Sequence, residues 1–311
     1  MKKTKKFLLI LFSVFLISTL SICTFIGNLL YNIIISSSSS KDTIYADYSF
    51  KASYYYENWL TNTSNSKDEY ITSFDNLKLH SYVVKRNKET SKWVIIVHGY
   101  AEEGKLYSRK ALHFYNMGYN VLVPDLRGNG KSEGDYIGMG YHDRLDVISW
   151  ANYIIKNDPQ AEIALYGTSM GGAAVLMASG ENLPSNIKAI ISDCAYTSVY
   201  DIFDYEIRNY TNSSSFPIID SLNAVTLLRA GYTLKSASAI DAVKNSKTPI
   251  LYFHGDKDTF VPISMMNKLY NATSSKKEKV SIKGGKHSNS DLVQPHIYWK
   301  TIRDFLNKYM K

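Results

Sequence analysis

The pattern of hydrophobic positions divides the chain into an apolar N-terminal stretch and a long region of short alternating and continuous apolar runs. From Phe7 to Ile35, roughly 29 residues carry no charge, more than the ~20 helical residues that cross a bilayer core. Ser36 to Asp42 is polar and reads as a linker. Asp47 to Leu60 is rich in tyrosine and ends in Trp59 and Leu60, and a short helix packing on the domain is expected there. From Glu69 the period changes to two. Tyr70-Ile71-Thr72, a turn near Asp75-Asn76 and the alternating Leu77 to Val84 predict an antiparallel hairpin.

A strand and helix rhythm follows. Strands are expected over Trp93–Val97, Tyr119–Val123, Ile163–Tyr166, Ile187–Ser192, Pro249–Phe253 and Lys279–Ile282. Helices are expected over Ser108–Met117, His142–Lys156 and Tyr298–Tyr309. Strands that read as continuous apolar runs are buried on both faces. The pattern therefore predicts an α/β fold, a mostly parallel central sheet of about eight strands with helices on both sides. The expected organisation is a cytoplasmic tail at 1–6, a membrane-spanning anchor at 7–35, a linker at 36–46, and one α/β domain at 47–311.

One segment interrupts the rhythm. Thr197 to Lys247 separates two strands that need only one crossover helix. Pro217 suits a first helical turn, and Ile218, Leu222, Val225 and Leu228 recur at helical spacing. The segment is expected to form a small helical lid, with most of its apolar residues packed against the domain and a few facing a pocket.

Charge and cysteine content add bounds. Lys2, Lys3, Lys5 and Lys6 supply half of the +8 formal charge, so the remainder is too mildly basic to suggest nucleic-acid binding. The same lysines precede the apolar stretch, and positive flanks stay on the cytoplasmic side. The stretch is longer than the apolar region of a cleavable signal peptide. An uncleaved signal anchor with an extracytoplasmic domain is expected, with release by cleavage near Ser36 to Ser40 as the alternative. The 2 cysteines, Cys23 and Cys194, form no zinc-like cluster and are not expected to pair. Gly128-Asn129-Gly130-Lys131-Ser132 lacks the spacing of a phosphate-binding loop. No cofactor or metal is expected.

The chemistry concentrates at Gly167-Thr168-Ser169-Met170-Gly171, a G-x-S-x-G between an apolar strand and a run of small residues. A strand, a sharp turn with serine at its apex and a helix form a nucleophile elbow. A serine needs a base to activate it. Of 7 histidines, His287 in Gly284-Gly285-Lys286-His287 follows the last strand, at the sheet end where such folds place their chemistry. His254 is the competitor. The acid is sought between serine and histidine in chain order. Asp258 is favoured over Asp256, a turn former, and over Asp193. The two N–H groups that stabilise an oxyanion are expected from Met170, next to the serine, and from Tyr100 in His98-Gly99-Tyr100. His98 is expected to be structural.

Five blocks now stand in order: Val94 to Tyr100, Pro124 to Ser132, Gly167 to Gly171, His254 to Pro262, and Gly284 to His287. Their order and placement resemble the α/β-hydrolase superfamily, and most of all its short-lid bacterial branch of serine aminopeptidase-like and monoacylglycerol-lipase-like proteins, which includes membrane-anchored members. The resemblance covers the chain from about Glu69 to its end. It implies a Ser169, Asp258 and His287 triad, an oxyanion hole of Tyr100 and Met170, and structural roles for Asp125 and Arg127. Hydrolysis of a carboxylic ester through an acyl-enzyme is the leading expectation, with a small acyl ester as substrate. Peptide or amide hydrolysis, acyl transfer, and a catalytically silent membrane-tethered binding protein are the alternatives. The fold by itself does not fix the substrate, and the oligomeric state is not readable.

Overall fold

A computed structural model describes residues 2–38, 59–63, 65–87 and 89–311. Helix α1 runs over Lys2–Leu30 and passes into a π-helical turn at Tyr31–Ile35. Most of the helix expected between Asp47 and Leu60 lies outside the described residues, and α2 is the short Trp59–Asn62. Strands β1 (Ser66–Thr72) and β2 (Lys78–Val84) form the hairpin. There follow β3 (Lys92–Val97), α3 (Ser108–Asn116), β4 (Asn120–Pro124), α4 (Asp143–Asn157), β5 (Glu162–Thr168), α5 (Met170–Ala178) and β6 (Ile187–Asp193). The segment after β6 forms α6 (Val199–Thr211), α7 (Ile218–Ala230) and α8 (Ala239–Ala242). The chain closes with β7 (Ile250–Gly255), α9 (Ile263–Ala272), β8 (Lys277–Ile282), α10 (Ser290–Val293) and α11 (Pro295–Tyr309).

The strands build one 8-stranded sheet in the order β1-β2-β4-β3-β5-β6-β7-β8. The pairs β1/β2 and β2/β4 are antiparallel and every later pair is parallel. Side chains alternate between two apolar layers. Ile95, Val97 and Leu122 point to one, and Val94, Ile96, Val121 and Val123 to the other. Burial on both faces explains why these strands read as unbroken apolar runs.

Two details depart from the expected elements. Helix α11 begins at Pro295, three residues before Tyr298, because proline at the first helical turn gives up no needed N–H. In α7, Ile219, Leu222 and Val225 are buried, whereas Leu228 is exposed. The apolar spacing there is shared between two environments, since α7 packs against α1 as well as the domain.

The apolar N-terminal segment also changes character along its length. Thr4–Ile35 is long and apolar enough to cross a membrane. Phe7 to Leu20 is exposed throughout, but Tyr31, Ile35 and Ser36 are buried on the domain. Ile137 N–H donates to the Ile35 carbonyl at 2.7 Å, and Ser37 N–H to that of Asp135 at 3.1 Å. The first residues of the expected linker therefore pair with the domain, and the rest of it lies outside the described residues.

Candidate active site

The C-terminal ends of β3, β5, β6, β7 and β8 share one edge of the sheet, and the candidate residues gather there. Ser169 sits between β5 and α5 with φ 55 and ψ −119, a conformation that only a tightly held turn imposes on a side chain other than glycine. Its N–H donates to the Asp193 carbonyl at 2.8 Å. A Cβ on Gly167 would lie 2.2 Å from the Gly171 carbonyl oxygen, and one on Gly171 would lie 2.2 Å from that of Val97. Both glycines are required by contact, and the second lets the elbow press against the loop that carries Tyr100.

His287 arrives from the loop after β8. Its Nε2 lies 2.9 Å from Ser169 Oγ and its Nδ1 2.7 Å from Asp258 Oδ2. The other oxygen, Asp258 Oδ1, accepts from Phe260 N–H at 3.0 Å and Val261 N–H at 2.9 Å. The carboxylate is thus fixed by its own loop and points one oxygen at the imidazole. Burial would raise the Asp258 pKa, but hydrogen bonds from His254 and His287 outweigh it and hold it at about 2. Burial pulls the His287 pKa down, while Cys194 and Asp258 push it up, and the net direction is well above its ordinary value. Burial also raises the Cys194 pKa. A neutral thiol exerts little pull on a proton, so Asp258 is the charged group beside the ring that favours the imidazolium.

The other candidates have partners of their own. His254 Nε2 faces the Val261 carbonyl at 2.7 Å, with Asp258 Oδ2 at 3.3 Å. Asp193 accepts from Ser290 Oγ at 3.1 Å and from the Tyr298 hydroxyl at 2.9 Å. Asp256 accepts from Gly284 N–H at 2.7 Å and so ties the acid loop to the histidine loop. His98 Nε2 accepts from Leu126 N–H at 2.9 Å, and its Nδ1 lies 2.8 Å from the Gly99 carbonyl. Asp125 meets His80 Nδ1 at 2.7 Å and accepts from Gly104 N–H at 2.7 Å. Arg127 is buried between Asp146 and Asp75.

Ser169, Tyr100 and Met170 line a common cavity of about 560 Å³. Its walls are apolar and come from the elbow, from α6 (Val199, Ile202, Phe203) and from the end of the N-terminal segment (Leu30, Ile33, Ile34). Two contributors were not singled out as site residues from the sequence. Among the described residues, Glu206, on α6, is the one charged residue lining the cavity. Burial raises its pKa to about 7, an effect opposed by His287 and reinforced by Asp258. Cys194 follows β6 directly, and its Sγ lies 3.5 Å from Ser288 Oγ, beside His287. Its place at a strand's C-terminal end was the available signal. Glu206 carried no such local signal.

Comparison with known proteins follows the same lines. Residues 88–203 match the model of the serine aminopeptidase S33 family, and residues 205–289 match that of the FSH1 serine hydrolases. YqkD of Bacillus subtilis is 27% identical over 221 residues, covering 70% of this chain and 72% of that protein. Protein bem46 of Schizosaccharomyces pombe is 25% identical over 238 residues, covering 75% of this chain and 73% of bem46. Among solved structures, the Pyrococcus furiosus esterase Pf2001 superposes with a TM-score of 0.64 at 22% identity, over 79% of this chain and 93% of that one.

Proposed function

Because the chain is a serine hydrolase of the α/β-hydrolase superfamily, we propose that it cleaves carboxylic esters through an acyl-enzyme on Ser169, with His287 as base and Asp258 as its orienting acid. The observation that carries this reading is the unbroken series from Asp258 to His287 to Ser169 Oγ, opening on an apolar cavity. Ser169 Oγ attacks the acyl carbon as His287 Nε2 takes its proton. Asp258 holds the Nδ1–H tautomer and stabilises the imidazolium without accepting the proton. The N–H groups of Tyr100 and Met170 receive the oxyanion, each worth about 3–4 kcal/mol in the transition state. His287 then returns the proton to the leaving alcohol, and a water molecule activated by the same histidine frees the acid.

The apolar cavity favours an acyl chain over a polar headgroup on the acyl side. The lysines before the apolar helix orient the domain away from the cytoplasm.

Amide hydrolysis is the second reading, favoured by one feature, the Glu206 carboxyl in the cavity, which is suited to a substrate amine. Acyl transfer to an alcohol would use the same acyl-enzyme.

The test uses the full-length protein in detergent. Nitrophenyl esters of graded chain length are compared with aminoacyl amides, alongside labelling by a fluorophosphonate probe. Ester turnover with labelling lost in Ser169→Ala is expected. Absence of both turnover and labelling overturns the reading, and faster amide cleavage selects the alternative.

A further inference from the structure

The cavity beside Ser169 is closed on one side by Leu30, Ile33 and Ile34. These residues belong to the same apolar segment, Thr4–Ile35, that is long enough to cross a bilayer. We propose that the domain-proximal end of this segment is the acyl-chain wall of the active site and sets its chain-length preference, so that the anchor is a specificity element as well as a tether. The proposal rests on the ester-hydrolysis reading above.

The segment is built into the domain from Gly27 onward. A Cβ on Gly27 would lie 2.5 Å from the Ser221 carbonyl oxygen of α7, so helix and lid touch backbone to backbone. Arg229 donates to Asn32 Oδ1 at 2.7 Å and lies 4.0 Å from the Tyr31 ring centre. The Tyr100 hydroxyl donates to the Ile34 carbonyl at 2.6 Å. A simple tether needs none of these contacts. Together they hold Leu30, Ile33 and Ile34 in the lining of the cavity that Ser169 shares.

Chemistry gives the wall its purpose. The first carbons of an acyl group are held near Ser169, and a longer chain must run along apolar surface. A chain that reaches Leu30 and Ile33 buries additional methylenes there, while an acetyl group does not extend that far. Removal of apolar surface from water favours the longer ester. The same surface continues into the helix that enters the bilayer, so a chain passing between them exchanges one apolar setting for another.

The experiment measures kcat/KM of the full-length protein in detergent for nitrophenyl decanoate and nitrophenyl acetate. Ile33 is substantially exposed, so Ile33→Trp is compatible with folding while adding bulk at the wall. The decanoate-to-acetate ratio is expected to fall about tenfold in Ile33→Trp, the scale on which an apolar pocket discriminates. Leu16→Trp, on the exposed stretch of the helix remote from the cavity, is expected to keep the wild-type ratio. A wild-type ratio in Ile33→Trp, with ester turnover and Ser169 labelling intact, overturns the proposal and leaves the ester reading standing. An equal fall in Leu16→Trp also overturns it, since the effect would then belong to the anchor in general. A wild-type protein that turns over neither ester removes the ester reading and this inference with it.

Discussion

The phenolic hydroxyl of Tyr100 donates a 2.6 Å hydrogen bond to the main-chain carbonyl of Ile34, joining the candidate oxyanion loop to the end of the N-terminal apolar helix. Burial raises the Tyr100 pKa, which keeps the donor protonated. Tyr100→Phe leaves the backbone N–H of residue 100 in place and removes only this tie. The expected loss is about 1 kcal/mol of stability, seen as a thermal midpoint lower by about 2–4 °C. Turnover of short esters is expected to fall far less than in Ser169→Ala. A drop of equal size would assign the phenol itself to catalysis.

The end of the N-terminal apolar segment is part of the fold. Tyr31 and Ile35 are buried against the domain, and each such side chain is worth about 1.5–3 kcal/mol. A chain starting at Lys41 is expected to unfold at clearly lower denaturant concentration than the full-length protein in the same detergent. Equal unfolding midpoints would show the packing to be energetically idle.

Ser169 stores strain. Its φ of 55 with ψ −119 is a conformation that glycine adopts freely. Ser169→Gly is therefore expected to abolish turnover yet raise stability by about 1 kcal/mol or more. Ser169→Ala loses the same chemistry, about 10⁵–10⁶-fold in kcat, without the gain. Calorimetry of the two variants side by side reads the difference.

The pH profile follows from His287 and Asp258. In the proposed mechanism His287 must be neutral to accept the serine proton, and its pKa is raised above the ordinary 6.5. Activity is expected to climb with pH through an apparent pKa above 6.5 and to level off on the alkaline side. In stability terms a raised histidine pKa contributes below 6.5, and that contribution is lost as pH rises through the folded value. Asp258 has the opposite sign. Its folded pKa of about 2 is below the ordinary 3.8, so its contribution is present above 3.8 and lost as pH falls through about 2. Asp258→Asn is expected to cut kcat by about 10⁴-fold by releasing the tautomer.

Glu206 adds a separate test. Its pKa is raised from 4.5 to about 7, so the folded state holds a proton that the unfolded state releases. Stability is expected to fall as pH rises from 4.5 to about 7, and this slope should flatten in Glu206→Gln. Removing the carboxylate beside His287 also lowers the imidazole pKa and moves the acid limb of the activity profile downward. An unmoved limb would mean that the two groups do not sense one another.

The elements that hold the site were legible where one local rule governed them. Continuous apolar runs announced β3 to β6 because burial on both faces leaves no room for polar alternation. Gly167 to Gly171 announced the elbow because the turn tolerates no Cβ at either glycine. His287 and Asp258 stood out through their place after strands. The convergence of these residues was not written locally: Ser169 and His287 are 118 positions apart, and only the parallel order of β5, β6, β7 and β8 brings their loops to one edge. Leu228 shared the spacing of buried α7 residues yet faces outward, since periodicity marks a face without saying what covers it. The apolar segment shows the same division. Its length and lack of charge determined a helix able to cross a membrane, a property of the residues alone. That Leu30, Ile33 and Ile34 also wall the cavity was decided by tertiary packing against α7 and Tyr100, because an apolar side chain carries no mark of whether lipid, protein or substrate will lie against it.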